Sequence, residues 1–141
     1  MVFEIANAIF YTNGFSVKQS FLDINSDYYD AEVTSLDFSS PSAVETINGW
    51  VANKTHDKIL KIIDRLSPES RMVLLNAIYF YGTWTKEFDN DGTKMLNFRL
   101  ADGTNKEFAM MRKEDTLEYS SNDLFSAIKL PYGTGQYNML V

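Results

Sequence analysis

The chain has 141 residues and contains no cysteine. This absence excludes disulfide bonds, thiol catalysis and cysteine-ligated zinc within the segment, and it leaves the cellular compartment undetermined. The single histidine, His56, has no second histidine with which to form a metal site, and no nucleophile motif accompanies it. We therefore expect no metal or other cofactor and no enzymatic activity.

Basic runs and long apolar runs are also missing. The chain has 13 basic and 19 acidic residues, which gives a net charge of −6. An acidic chain repels phosphate backbones, so nucleic acid is not an expected partner. No basic cluster favours a membrane surface, and no apolar run approaches the roughly 18 residues of a spanning helix. Membrane association is therefore not expected.

What the chain does have is apolar and aromatic content, at 45% and 14% of its residues. These proportions are typical of a folded domain with a substantial core, and they argue against intrinsic disorder. The periodicity predicts strand, helix, strand, helix, a long strand and then short antiparallel strands, which is an α+β arrangement. The predicted long elements cover residues 3–11, 16–28, 31–38, a helix from Ser39–Ser42 to Asn53–Lys54, and 71–84.

The segment Arg71–Trp84 (RMVLLNAIYFYGTW) is the most informative part of the sequence. A nearly continuous apolar run of this kind fits a central strand buried on both faces. It predicts that Leu74, Ile78 and Phe80 are largely buried. Asn76 is the polar exception, and a buried amide must be hydrogen-bonded away from water. The chain stops within another apolar strand, Tyr137–Val141, which suggests an incomplete domain.

Several segments resemble those of the serpin family of serine protease inhibitors, and they occur in serpin order. The resemblance covers nearly the whole chain and departs from the family at Tyr81, where lysine is usual, and at Asp57, where glycine is common. The matching segments are Ala6–Phe10 (ANAIF), Ile47–Val51 (INGWV), Lys54–Ile59 (KTHDKI), Leu75–Trp84 (LNAIYFYGTW), Phe108–Met111 (FAMM), Leu130–Tyr132 (LPY) and Asn138–Leu140 (NML).

The resemblance implies a single partial serpin domain over residues 1–141. It would contain strands of sheet A with helices E and F, followed by antiparallel strands of sheets C and B. The N-terminal helices and the reactive-centre loop would be absent. Asn76 would lie in the shutter, the region where sheet A opens, and Trp84 in the breach, where the loop first enters. Ile47 and Trp50 would pack helix F on sheet A. Without the resemblance, Asn76 is simply a buried amide and Trp84 a core aromatic.

The implied function of the parent protein is suicide-type inhibition of serine or cysteine proteases, through insertion of the cleaved loop into sheet A. The chain alone would be inactive because its reactive centre is absent. Its expected partners are a target protease, the missing serpin strands or a second chain, and other copies of itself through strand addition. The alternative is a non-inhibitory serpin acting as a carrier, chaperone or structural domain. An unrelated α+β enzyme would need a catalytic set that the sequence does not show.

Overall fold

A computed structural model describes all 141 residues. It contains two helices and eight strands in the predicted order, and the predicted α+β class is confirmed. The chain folds as two compact units, Val2–Tyr81 and Gly82–Val141, with Met1 grouped with the second. The single domain over 1–141 stays a prediction. The elements are β1 (Val2–Thr12), α1 (Gln19–Tyr29), β2 (Ala31–Leu36), α2 (Pro41–Lys54), β3 (Met72–Tyr81), β4 (Lys94–Arg99), β5 (Asn105–Met110), β6 (Tyr119–Ser121), β7 (Ser126–Tyr132) and β8 (Tyr137–Leu140).

The first unit is built on a three-stranded sheet with the order β2-β1-β3. β1 lies in the middle, parallel to β2 and antiparallel to β3. A parallel pair needs a crossover connection, and α1 supplies it between β1 and β2. β3 pairs with β1 alone, so its other edge has no strand beside it.

Helix α2 covers one face of this sheet. It begins where the sequence predicts, because the Ser40 side chain accepts a hydrogen bond from the Ser42 N–H and Pro41 occupies the first turn. Its apolar stripe is buried against strand residues that alternate along β1. The resulting core contains Ala8, Phe10, Phe38, Ala43 and Ile47, with Trp50, Val73 and Leu75 packed against it.

Helix α1 differs from the prediction at its start. It begins at Gln19 rather than after Ser16, and Lys18 precedes it without a side-chain cap. The first helical hydrogen bonds run from the N–H groups of Phe21 and Leu22 to the Lys18 carbonyl, so Lys18 rather than Ser16 is the N-cap residue. No residue of α1 is buried.

The predicted burial of β3 on both faces is wrong. The face that carries Val73, Leu75 and Ala77 lies toward α2, as the core contacts and burial show. Successive side chains of a strand alternate between its two faces. The residues predicted to be buried therefore lie on the face of β3 that α2 does not cover. Leu74, Ile78 and Phe80 are accordingly 66%, 58% and 37% exposed. Apolar composition showed that the strand can be buried on both faces, and the structure shows that only one face is.

The second unit is entirely antiparallel. β4 and β5 form a hairpin, and β6, β7 and β8 form a three-stranded sheet. The hairpin turn occurs at Asp102–Gly103, where Gly103 takes a φ of 84° that favours glycine. The Thr104 hydroxyl and N–H both donate to the Asp102 carboxylate, and these bonds lower the pKa of Asp102. Neither helix of the chain is long and apolar enough to cross a membrane.

Candidate functional site

Two asparagines face each other at the middle of the first sheet. Asn7 of β1 and Asn76 of β3 are register partners. The Asn76 Nδ2 donates to the Asn7 Oδ1 at 2.9 Å, and it lies 3.5 Å from the Ala6 carbonyl. The Asn7 Nδ2 in turn donates to the carbonyl of Tyr29 at 2.8 Å. This amide relay (Asn76, Asn7 and the Tyr29 carbonyl) connects β3 and β1 to the end of α1.

A cleft of about 240 Å³ lies beside the amide relay. The side chains that line it include the amides of Asn7, Asn25 and Asn76 together with apolar residues such as Ile9 and Leu74. Asn76 is hydrogen-bonded, as the sequence predicts, but it is exposed rather than removed from water. Asn76 is exposed for the same reason as Leu74: both side chains lie on the face of β3 that α2 does not cover.

Sequence reasoning missed Asn7. The residue belongs to the segment ANAIF, where a lone amide among apolar residues gives the same signal as Asn76. What the sequence does not show is the antiparallel register, which places the two amides opposite each other. A cross-strand pair of this kind is the unit by which neighbouring strands are held in register.

On the opposite face, α2 is fixed by Ile47 and Trp50. Ile47 has no exposed surface and lies within the core. The Trp50 ring packs edge-on against Phe10 with centroids 6.3 Å apart, while its indole N–H is buried without an acceptor.

Two further residues, which sequence reasoning also missed, hold the connection from α2 to β3. The Asn48 side chain accepts from the N–H groups of Ile62 and Ile63 and donates to the Ile63 carbonyl. The Thr55 hydroxyl is buried, donates to the Val51 carbonyl and accepts from the Ile59 N–H. The apolar stretch after α2 is therefore an irregular segment held by side-chain hydrogen bonds.

His56 lies in the turn after α2 and is exposed. Its Nε2 is 2.8 Å from a carboxylate oxygen of Glu4, and its ring centroid is 4.2 Å from that of Tyr79. These contacts join the turn to β1 and β3. The chain has no group of three or more histidine, aspartate or glutamate side chains arranged to hold a metal ion.

Trp84 lies near the start of the second unit, which begins at Gly82, and it forms an isolated β-bridge with Tyr132. The two rings are stacked with centroids 4.4 Å apart and planes 12° apart. Phe88 packs edge-on against Trp84 at 5.9 Å. A small cleft of about 200 Å³ lies next to this aromatic cluster (Trp84, Phe88 and Tyr132) and is bordered by Met111.

Comparison with known proteins decides the family. The family model described as Serpin (serine protease inhibitor) matches residues 1–141. The chain belongs to the serpin family.

Three similar proteins illustrate the match. An uncharacterised serpin-like protein of Methanosarcina acetivorans is 35% identical over 98% of this chain and 33% of its own length. The structure of ovalbumin from emu, Dromaius novaehollandiae, superposes with a TM-score of 0.89 at 26% identity, over 99% of this chain and 38% of ovalbumin. The structure of a loop C-sheet serpin polymer gives a TM-score of 0.87 at 30% identity, over 98% and 37%. The chain thus spans about a third of the length of these relatives.

Within this serpin, three of the predicted site residues belong to the first unit and one belongs to the second. Asn76 lies on the uncovered face of the first sheet, and Ile47 and Trp50 lie on the face that α2 covers. Trp84 belongs to the second unit. The shutter role of Asn76 and the breach role of Trp84 stay predictions.

Proposed function

We propose that this serpin acts as a suicide-type inhibitor of serine or cysteine proteases, in which a cleaved reactive loop inserts as a strand beside β3. The observation that carries the proposal is the serpin family match over residues 1–141, together with an edge of β3 that no strand within those residues covers. An edge of this kind is a template for another strand. Strand addition at a sheet edge is also a general mode of peptide recognition.

The other edge of β3 and one face of its sheet are held in place by neighbouring elements. β1 occupies the centre of the sheet, and α2 packs across the face formed with β3 through Ile47 and Trp50. An incoming strand would therefore meet a strand whose position is already fixed by its other neighbours. In this proposal the role of the chain is to receive the loop, and it performs no catalysis itself.

The amide relay supports a shutter role for Asn76. A polar pair between two strands favours one register, because a slip of β3 along β1 breaks the hydrogen bond between the two amides. We propose that Asn76 and Asn7 hold β3 and β1 together while the opposite edge of β3 exchanges its neighbour. Trp84, which follows β3 in sequence, would then contribute to the breach through its stack on Tyr132.

The test uses the full-length gene product. We expect incubation with a panel of trypsin-like, chymotrypsin-like, elastase-like and papain-like proteases to yield a covalent complex on a denaturing gel, with consumption of the inhibitor. The 141-residue chain alone serves as the control and should form no complex and leave protease activity unchanged. Absence of a covalent band with every protease would contradict the proposal.

A non-inhibitory serpin is the second candidate, and the similarity to emu ovalbumin favours it. Some serpins, ovalbumin among them, do not inhibit proteases. Such a protein, acting as a carrier, chaperone or structural domain, would be cleaved by the same proteases without forming a complex. The gel therefore separates the two candidates, while catalytic turnover of a substrate would favour neither.

A further inference from the structure

The second unit contains a nearly buried lysine that the proposed function leaves without a role. Lys113 follows β5, and its side chain is only 8% exposed, whereas that of the preceding Arg112 is 82% exposed. Lysine is almost never buried unless its charge is paired. The partners of Lys113 therefore indicate what holds it in place.

Three groups surround the Lys113 ammonium. It donates to the main-chain carbonyl of Lys86 at 2.7 Å, and it lies 3.4 Å from a carboxylate oxygen of Asp115. It also lies 5.6 Å from the ring centroid of Phe88, within the range of a cation–π contact. An ammonium group has three N–H donors, and these three partners fix its position.

Asp115 is shared between two lysines. Its other oxygen accepts from the Lys86 Nζ at 3.1 Å. The hydrogen bond from Lys86, followed by the Thr116 N–H and the nearby positive charges, lowers the pKa of Asp115. The carboxylate thus stays charged beside Lys113, and it compensates the ammonium that Lys113 brings into the unit.

The contacts of Lys113 connect it through Phe88 to Trp84. Phe88, which lies against the Lys113 ammonium, packs edge-on against Trp84, and Trp84 stacks on Tyr132. Residues 83–88 form no regular helix or strand, so side chains and isolated bonds determine their position. On one side the Thr85 N–H donates to the Pro131 carbonyl. On the other side two contacts attach these residues to the segment after β5: the Lys113 ammonium donates to the Lys86 carbonyl, and the Lys86 ammonium donates to Asp115.

We propose that Lys113 is a positioning residue for Trp84. Its ammonium attaches residues 84–88 to the segment that follows β5 and thereby keeps the Trp84 ring stacked on Tyr132. On the proposed function, this attachment also sets how readily the breach opens to the incoming loop. Loss of the ammonium should therefore loosen the aromatic cluster before it affects either sheet.

The experiment follows the ring of Trp84 directly. The full-length gene product is labelled with fluorotryptophan, and the Trp84 fluorine resonance is assigned from its loss in Trp84→Phe. In Lys113→Met, which keeps the chain length but removes the ammonium, we expect the resonance to shift and broaden. Arg112→Met is the matched control, because it removes the same charge one residue earlier from an exposed side chain, and it should leave the resonance unchanged.

A conservative variant separates the ammonium from the packing. Lys113→Arg keeps the positive charge and hydrogen-bond donors, and we expect its Trp84 resonance to stay close to that of the parent. If Lys113→Met does not fold, Lys113→Gln replaces it, since that change also removes the positive charge, leaves the Lys86–Asp115 pair in place and should shift the resonance in the same direction. An unshifted resonance in the variant that folds, an equal shift in Arg112→Met, or a Lys113→Arg shift as large as that of Lys113→Met would overturn the proposal.

A second measurement keeps the two proposals distinguishable. In an inhibitory protein, Lys113→Met should lose inhibitory activity on storage severalfold faster than Arg112→Met. Equal rates, together with a shifted resonance, would refute the link to the breach and keep the positioning role. If the parent protein inhibits no protease, the proposed function fails while the resonance still tests the position of Trp84.

Discussion

Replacing Asn76 by alanine removes the amide that links the middle of β3 to β1. The variant loses the 2.9 Å hydrogen bond to Asn7, while the 3.5 Å contact with the Ala6 carbonyl contributes little at that distance. A hydrogen bond of this type contributes about 0.5–1.5 kcal/mol net. Because Asn76 is exposed here, water can replace part of that loss. We expect the free energy of unfolding to fall by about 1 kcal/mol, and by up to about 3 kcal/mol if this face is covered in the full-length gene product.

The pair itself is isolated by a double-mutant cycle. Asn7→Ala removes two hydrogen bonds, one to Asn76 and one to the Tyr29 carbonyl, and should cost about 1–3 kcal/mol. The double variant should show a coupling of about 0.5–1.5 kcal/mol, since the shared bond is lost only once. Urea unfolding of the full-length gene product measures all four states, with an unchanged slope as the sign that only stability has altered.

A matched control and a clear refutation complete this test. Asn97 is an exposed asparagine of β4 with no side-chain hydrogen bond, so Asn97→Ala should change stability by no more than about 0.5 kcal/mol. A coupling of zero between Asn7 and Asn76 would refute the amide relay. Unchanged stability together with an unchanged rate of polymerisation in Asn76→Ala would refute its shutter role.

Four further outcomes follow from individual contacts and from the free edge of β3. Ser40→Ala removes the side-chain cap of α2 and should cost about 0.5–2 kcal/mol by urea unfolding, and no loss would contradict the cap. Thr55→Val leaves the Ile59 N–H without its acceptor and should lower the free energy of unfolding by about 1–3 kcal/mol. An unchanged free energy of unfolding would show that this bond does not form. Asn13 is exposed and precedes a glycine whose N–H has no acceptor. The Asn48 side chain, in contrast, is held by three hydrogen bonds. Mass spectrometry of an aged sample should therefore find deamidation at Asn13 and not at Asn48. The chain 1–141 alone should self-associate through the free edge of β3 at micromolar concentration, and a sharp monomer in light scattering would contradict this.

The sequence alone determined those features that depend on neighbouring residues. The start and end of α2 follow from Ser40, Pro41 and the apolar spacing, and the Asp102–Gly103 turn follows from the conformations those two residues favour. The order of strands and helices follows from hydrophobic periodicity in the same way. The family resemblance rests on segments such as Leu75–Trp84, which the sequence shows directly.

The tertiary structure decided which side chains meet and which are covered. Apolar composition could not reveal that only the Leu75 face of β3 lies under α2, because burial depends on what packs against a strand. The partner of Asn76 depended on an antiparallel register that joins residues 69 positions apart. The burial of Lys113 depended on bringing its ammonium to a carbonyl and an aromatic ring more than twenty residues away in the chain. Periodicity and capping are local properties that a sequence displays, whereas pairing and burial arise only when distant segments come together.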